Sequence, residues 1–195
     1  MTVETITSPA SQLAPPHSGR WTVADYERLP DDGPRVEIIE GAINMAPAPV
    51  LHHQSSSNLI AYYLTRVVQL AGLGYVFSAP TDVELGFETI VQPDILVVLS
   101  GGAAALTARR VVGPPDLIVE IVSPSTAGYD RREKQDAYAA AGVREYWIAD
   151  PASRTVELLL PEAGALRGVA VFSGETPVAS TVVPRWDVPT DALFG

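Results

Sequence analysis

Apolar positions along the chain recur in two rhythms, and the changes of rhythm mark out the elements. From His52 to Ala71 the residues Leu59, Ile60, Tyr63, Leu64, Val67, Val68 and Ala71 form the stripe of a long amphipathic helix, ended by Gly72 or Gly74. Before it, TVADYERLP reads as a short helix with Thr22 as cap and Pro30 as stop. RVEIIEGAINMAP reads as two short strands turning at Glu40-Gly41. After the long helix come YVFSAP, TDVELGF, IVQPDILVVLS and PDLIVEIVSPS, apolar runs of strand length. DRREKQDAYAAAG interrupts them as a helix, with Asp130 as N-cap, Glu133 completing a capping box and Gly142 as the stop. EYWIADP, TVELLLP and LRGVAVFSG return to strand, and RWDVPTDALF closes the chain as an extended piece with a final turn. This order predicts an α/β fold (an α+β mixed sheet) with helices packed on the sheet. Residues 1–20, rich in Ser, Thr, Pro and Ala without a period, are expected to form a disordered tail, leaving 21–195 as a single domain.

Composition narrows the setting. A chain of 195 residues with 47% hydrophobic and 18% charged residues suits one globular domain with a sizeable core. No apolar run approaches the roughly 18 to 20 residues that span a bilayer, and the start of the chain lacks a basic region followed by an apolar stretch. A cytoplasmic protein with no membrane association is the expectation. The absence of cysteine excludes disulfides, thiolate catalysis and cysteine-ligated zinc. The net charge of −10 counts against a broad non-specific nucleic-acid surface but not against a local one. Two basic pairs, Arg109-Arg110 and Arg131-Arg132, could flank a cleft or could be solvated loop and helix ends.

The sole lysine changes the picture. All twelve other basic residues are arginine, yet Lys134 stands in the first turns of a helix, where the dipole disfavours a cation. Helical spacing places it on one face with Tyr138 and Ala141, the side expected to pack on the core. The alternative is a lysine whose stem lies along the core edge while its head reaches water. Two strands also carry acids at apolar positions. Glu120 interrupts LIVEIVS on the face of Ile118 and Val122, and Asp94 precedes the run from Ile95 to Leu99. A buried, unpaired carboxylate is costly, so each should be paired, protonated or metal-bound. A salt bridge to arginine is the plain structural reading of either acid alone. Together with Lys134 they are the ingredients of a site for a hard divalent cation, Mg2+ or Mn2+. Glu37, within an apolar strand, fits as a third acid. Gln92, two residues before Asp94, is expected on the same strand face, where it could orient a water or ligand. Tyr138 could donate to a carboxylate or simply pack. His52 and His53 are secondary candidates, because adjacent helical residues point about 100° apart and cannot easily share one metal. No Gly-rich phosphate loop, His-Glu-x-x-His pattern or nucleophile elbow is present.

RVEIIEGAI, the histidine-opened helix, FSAPTDVEL, VQPDILVV, PDLIVEIVSPST, DRREKQDAYAAAGVREYWIADP and TVELL occur in the order seen in the Uma-type restriction-endonuclease-like family. The resemblance spans about residues 20–190, and its longest block runs from Pro115 to Pro151. It implies the PD-(D/E)XK nuclease superfamily, with a restriction-endonuclease-like core: a central mixed β-sheet flanked by helices. On that resemblance Pro93-Asp94 matches the first acidic pair, Glu120 the second acidic position and Glu37 the acid from the N-terminal part of the core. Val122 occupies the position of the superfamily's usual lysine, and Lys134 matches a lysine supplied from the following helix instead.

The resulting expectation is a metal-dependent endonuclease that hydrolyses phosphodiester bonds, with Asp94, Glu120 and Glu37 on Mg2+ or Mn2+ and Lys134 assisting the attacking water. The expected partner is nucleic acid, DNA rather than RNA. Two alternatives stand beside it: a non-catalytic binding or assembly module on the same fold, and a hydrolase of a small phosphorylated molecule. A homodimer is expected through strand edges such as EYWIADP and TVELLLP.

Overall fold

A computed structural model describes residue 16, residues 19–30, 35–45, 50–122, 130–183 and 185–195, apart from the side chains of residues 130 and 131. Most of the expected tail over 1–20 and the proposed cap side chain of Asp130 therefore lie outside the described residues.

The chain opens with α1 (Val23–Tyr26), where Thr22 and Asp25 close a capping box by exchanging side-chain and backbone hydrogen bonds. Strands β1 (Val36–Ile39) and β2 (Ala42–Met45) pair antiparallel with Ile39 opposite Ala42. Glu40 and Gly41 between them have φ of 49° and 79°. Both lie in the left-handed region, which a two-residue type I′ hairpin requires.

Helix α2 (Leu51–Leu64) buries Ser56, Ile60 and Leu64, then continues as a π-helical stretch, Thr65–Gln69. The stripe expected to be one α-helix to Ala71 thus changes winding. Leu70 N–H reaches back to the Thr65 carbonyl at 2.9 Å, and Leu73 N–H to that of Val68, also at 2.9 Å. The wider turn keeps Val68 in the core while leading the chain into β3 (Gly74–Ser78).

Next follow β4 (Val83–Gly86), β5 (Thr89–Val91), β6 (Ile95–Leu99), β7 (Ala105–Leu106), β8 (Val111–Val112) and β9 (Leu117–Ile121). Helix α3 (Asp130–Ala141) leads to β10 (Glu145–Asp150), β11 (Thr155–Glu162) and β12 (Ala165–Ser173), and a 3-10 turn, Thr190–Leu193, closes the fold. The mixed α/β class read from the sequence holds, but the strands form two six-stranded sheets instead of one. Their orders are β2-β1-β5-β4-β8-β7 and β12-β11-β10-β9-β6-β3.

Two expectations fail for identifiable reasons. IVQPDILVVLS is not one strand: β5 belongs to the first sheet and β6 to the second. Pro93 lacks the N–H that a continuous ladder would need, and the chain crosses between sheets at residues 92–94. EYWIADP and TVELLLP are not edges either. β10 and β11 lie inside the second sheet, whose edges are β3 and β12. β10 reads as apolar because it is covered on both faces, with Glu145 to Ala149 all buried. The basis for expecting a homodimer through those segments is therefore removed.

Strand parity in the second sheet explains the two cores. Ile95, Val97, Leu117, Val119, Trp147 and Ala149 face α2 and the C-terminal segment. Leu96, Val98, Ile118, Tyr146 and Ile148 face the other way and pack with Ala137 and Tyr138 of α3 and with Ile39, Val83 and Val91 of the first sheet. Strands β9 and β10 run parallel, with Glu120 opposite Ile148, and α3 is the crossover between them. The helix bearing Lys134 is thereby laid over the face that carries Glu120.

That helix stops at Gly142, whose φ is +91° and whose N–H bonds the carbonyls of Tyr138 and Ala139. No atom would crowd an added Cβ there, so Gly142→Ala should cost only the left-handed backbone penalty, about 1–2 kcal/mol. Urea unfolding should show that loss, with Gly142→Asn falling between the two because Asn tolerates the left-handed region better. An unchanged midpoint in Gly142→Ala would contradict this account of the helix stop.

Candidate active site

Four elements deliver the candidate residues to the seam between the sheets. β6 and β9 pair antiparallel with Ile95 opposite Val119, so the register carried one residue further sets Asp94 opposite Glu120. Asp94 shares parity with Leu96 and Val98, and Glu120 with Ile118, so both acids belong to the face that α3 covers. Glu37 comes from β1 of the first sheet and is buried. Lys134 and Tyr138, one helical turn apart, descend from α3.

The contacts are specific. Lys134 Nζ stands 2.9 Å from Glu37 Oε1 and 3.2 Å from Glu120 Oε1, with only 14% of the lysine side chain exposed. Tyr138 OH donates to the same Glu120 oxygen at 2.6 Å. Gln92 N–H donates to Glu37 Oε1 at 2.6 Å. Asp94 Oδ2 accepts from Ile121 N–H at 2.8 Å and lies 3.0 Å from His53 Nε2. Glu37, Glu120, Lys134 and Tyr138 thus form one bonded cluster. Asp94 and His53 join it through the residue next to Glu120.

The structure departs from the sequence reading at two residues. Gln92 does not share a strand face with Asp94, because the chain breaks from strand at Pro93. Its side chain turns to Arg35, Asp82 and Tyr26, and only its backbone N–H reaches the cluster. His52 is exposed, whereas His53 is the member of the pair that faces Asp94.

Electrostatics follow from burial and neighbours. Burial pushes the Glu120 carboxyl up to about 7, and the charges of Asp94 and Glu37 add to the rise, while Lys134 and the Tyr138 hydroxyl oppose it. Burial disfavours the Lys134 ammonium, but the Glu120 and Glu37 carboxylates outweigh that and hold its pKa above the ordinary lysine range. The two shifts pull against each other, since Lys134 is favoured by a charged Glu120. The consistent statement is that the lysine stays an ammonium and Glu120 is the readily protonated member. Burial raises the Tyr138 phenol well above its usual value, with the Glu120 charge adding to it, so the ring acts as a donor. His53 is raised mainly by its hydrogen bond to Asp94, against burial and the Arg35 charge.

Among the described residues no group of three or more His, Cys, Asp and Glu side chains is arranged to hold a metal ion. The donors do fit a sparser site. Asp94 Oδ1 and Glu120 Oε2 accept no hydrogen bond from a described residue. Two hard carboxylate oxygens with waters and a substrate phosphate suit Mg2+ or Mn2+. Glu37 reaches the cluster through the lysine ammonium and Gln92, a contact pattern that suits positioning of Lys134 better than ligation.

The mixed-sheet α/β frame that carries these acids and the buried lysine is a nuclease-like fold by its likeness to a solved structure. The family model described as "Uma2: Putative restriction endonuclease" matches residues 23–191, and the chain belongs to that family. Its structure is similar to the crystal structure of "a putative nuclease belonging to DUF820" from Anabaena variabilis ATCC 29413. The two share 21% identity and a TM-score of 0.75, over 89% of this chain and 97% of that one. Among curated proteins none matches. No helix among the described residues is long and apolar enough to cross a membrane.

The raised Glu120 pKa carries a stability consequence. Between its ordinary value of 4.5 and about 7 the folded state binds a proton that the unfolded state has released, so this contribution is lost as pH rises through 7. In EDTA, the melting temperature of the wild type should fall from pH 5 to pH 8, and Glu120→Gln should show a shallower fall. His53 leaves a residual slope of the same sign. Identical slopes in the two proteins would show that Glu120 is not the group titrating.

Proposed function

We propose that the protein is a metal-dependent endonuclease that hydrolyses phosphodiester bonds, and that the convergence of Lys134 with Glu37 and Glu120 is the observation that supports this reading best. Asp94 Oδ1 and Glu120 Oε2 would hold Mg2+ or Mn2+. When bound, such an ion lowers the pKa of a coordinated water and offsets charge on phosphate oxygens. Lys134 supplies a fixed positive charge at the reacting phosphate. Because its ammonium is favoured by two carboxylates, its role is to orient the attacking water and stabilise the anionic transition state, not to take a proton. Glu37 and the Tyr138 hydroxyl position these groups: Glu37 anchors the ammonium, and Tyr138 fixes the Glu120 oxygen that Lys134 shares. His53 and Ile121 N–H fix the rotamer of Asp94. The substrate is nucleic acid, with DNA favoured over RNA.

A cleavage assay on supercoiled and oligonucleotide DNA in Mg2+ or Mn2+ tests the reading. Asp94→Asn and Lys134→Gln should each lower the rate by roughly 100-fold or more. Lys134→Gln leaves two carboxylates without their cation, and breaking a buried ion pair can cost about 3–5 kcal/mol. Folding is therefore checked by circular dichroism, and Asp94→Asn carries the test if the lysine variant unfolds. Calorimetric titration with Mn2+ should give binding that Asp94→Asn removes. Equal cleavage by wild type and folded variants would assign the activity to a contaminant and sink the proposal.

A further inference from the structure

Arg35, which reaches the carboxylate cluster through Gln92, and Arg109 line one cleft, and neither makes an ion pair with a described acid. Arg35 lies two residues before Glu37, just ahead of β1. Its Nε donates to Gln92 Oε1 at 3.0 Å, a neutral partner, and its charge is felt at His53, the residue that holds Asp94. Gln92 is itself fixed by donating to Asp82 Oδ1 at 2.8 Å and to Tyr26 OH at 3.3 Å. The terminal nitrogens of Arg35 make no bond to a described residue. They line a cleft of about 640 Å3 walled by Tyr26, Phe77, Asp82, Thr107 and Arg109. Arg109 is exposed and makes no ion pair among the described residues. Arg110 contrasts with both: it is 8% exposed and bonded to Glu27 at 2.9 Å and Glu84 at 3.1 Å.

Both acids that line the cleft, Glu27 and Asp82, are already engaged, Glu27 by Arg110. Asp82 Oδ1 accepts from Tyr26 OH at 2.9 Å as well as from Gln92. Burial, with the bond to Asp82 adding to it, pushes the Tyr26 phenol up to about 12, so it remains a donor into that carboxylate. In a chain of net charge −10, a half-buried guanidinium held at one edge by an amide and left open at the other is set up to receive an anion. Planar guanidinium groups take phosphate oxygens in pairs, which makes arginine the suited residue here.

We infer that this cleft binds a backbone phosphodiester of a nucleic-acid strand, with Arg35 and Arg109 on its oxygens, beside the phosphate presented to Lys134. The identification of the anion as a strand rests on the nuclease reading; the anion site itself rests on two arginines in one cleft that no described acid pairs. Arg35 also links the two places, since Gln92 touches it through the side chain and Glu37 through the backbone.

The test is binding without hydrolysis. Fluorescence anisotropy of a labelled single-stranded oligonucleotide, in EDTA across a salt series, compares wild type with Arg35→Gln, Arg109→Ala and Asp94→Asn. Each arginine variant should bind about 5- to 10-fold more weakly and lose about 0.7 from the slope of log affinity against log salt, the share of one phosphate contact. Asp94→Asn should bind at least as well as wild type. Weaker binding with an unchanged slope would make Arg35 a mere support for Gln92 and overturn the assignment. Full affinity in both folded arginine variants would also overturn it, and Arg109→Ala decides alone if Arg35→Gln fails to fold. Displacement of the oligonucleotide by inorganic phosphate at equal phosphate concentration would reassign the cleft to small anions. Arginine-dependent binding by a protein that never cleaves would leave this inference standing and remove the nuclease reading. Cleavage that survives both arginine substitutions with unaltered binding would do the reverse.

Discussion

The ammonium of Lys134 ties together three pieces of the protein at one point. It leaves the crossover helix α3, meets Glu37 from the first sheet, and meets Glu120 from the second. Without it, two carboxylates from separate sheets would face each other, with the Asp94 charge nearby, in a space too enclosed for water to screen them. Burying charge is tolerated when partners are close, and here Tyr138 OH, Gln92 N–H and Ile121 N–H each donate to one oxygen of a different carboxylate, those of Glu120, Glu37 and Asp94. The seam is thus held by the same group that gives the site its positive charge. Stability and chemistry are coupled there: a substitution at Lys134 reads out both.

Burial alone does not single out this cluster. Glu145 is fully buried and Asp116 nearly so, both more enclosed than Glu120. The difference lies in how they are satisfied. Glu145 accepts from Trp147 Nε1, Ser180 Oγ and the Thr181 and Val182 backbone, so both of its oxygens are spent on pinning the C-terminal segment to β10. Asp116 accepts from Leu99 N–H and Arg144. Each has a full set of donors and no open oxygen aimed at other charged acids. Glu120 and Asp94 each keep an oxygen that no described residue occupies, and each lies among further ionisable groups. Incomplete satisfaction next to a cation is what makes these two carboxylates the candidates for a working role.

Much of this was legible in the sequence, and the failures have a common cause. Helix phase placed Lys134 and Tyr138 together, and strand parity placed Glu120 with Ile118, because both are local periodicities that tertiary packing preserved. The Glu40-Gly41 hairpin and the Gly142 stop follow equally from local backbone demands. Gln92 was misplaced because parity was carried through Pro93, where the strand ends and the chain changes sheets. The same break turned two sheets into one expected sheet. β10 and β11 looked like edges because their apolar runs say that they are covered, not by which neighbours. Arg35 was missed outright. Its partner Gln92 is 57 residues away in sequence, and only the fold shows that no described acid pairs with it. Long-range pairing, not residue type, is what a single sequence withholds.

The displaced lysine has a further structural corollary. A lysine at position 122 would sit on the strand two residues from Glu120, fixed to it by the strand's own geometry. Val122 takes that place and packs against the core instead. The amine arrives from α3, so its position depends on how that helix docks, through Ala137 and Tyr138 against Ile39, Val83 and Tyr146. Tyr138 therefore has two duties from one position: its ring seats the helix against Tyr146 at a 5.3 Å centroid separation, and its hydroxyl fixes the Glu120 oxygen that the lysine shares. Strand placement would make the acid–lysine geometry local. Helix placement makes it a property of the whole seam, and this accounts for why a buried tyrosine and a backbone amide from the sheet crossing each donate to one of the two oxygens, Glu120 Oε1 and Glu37 Oε1, that the ammonium joins.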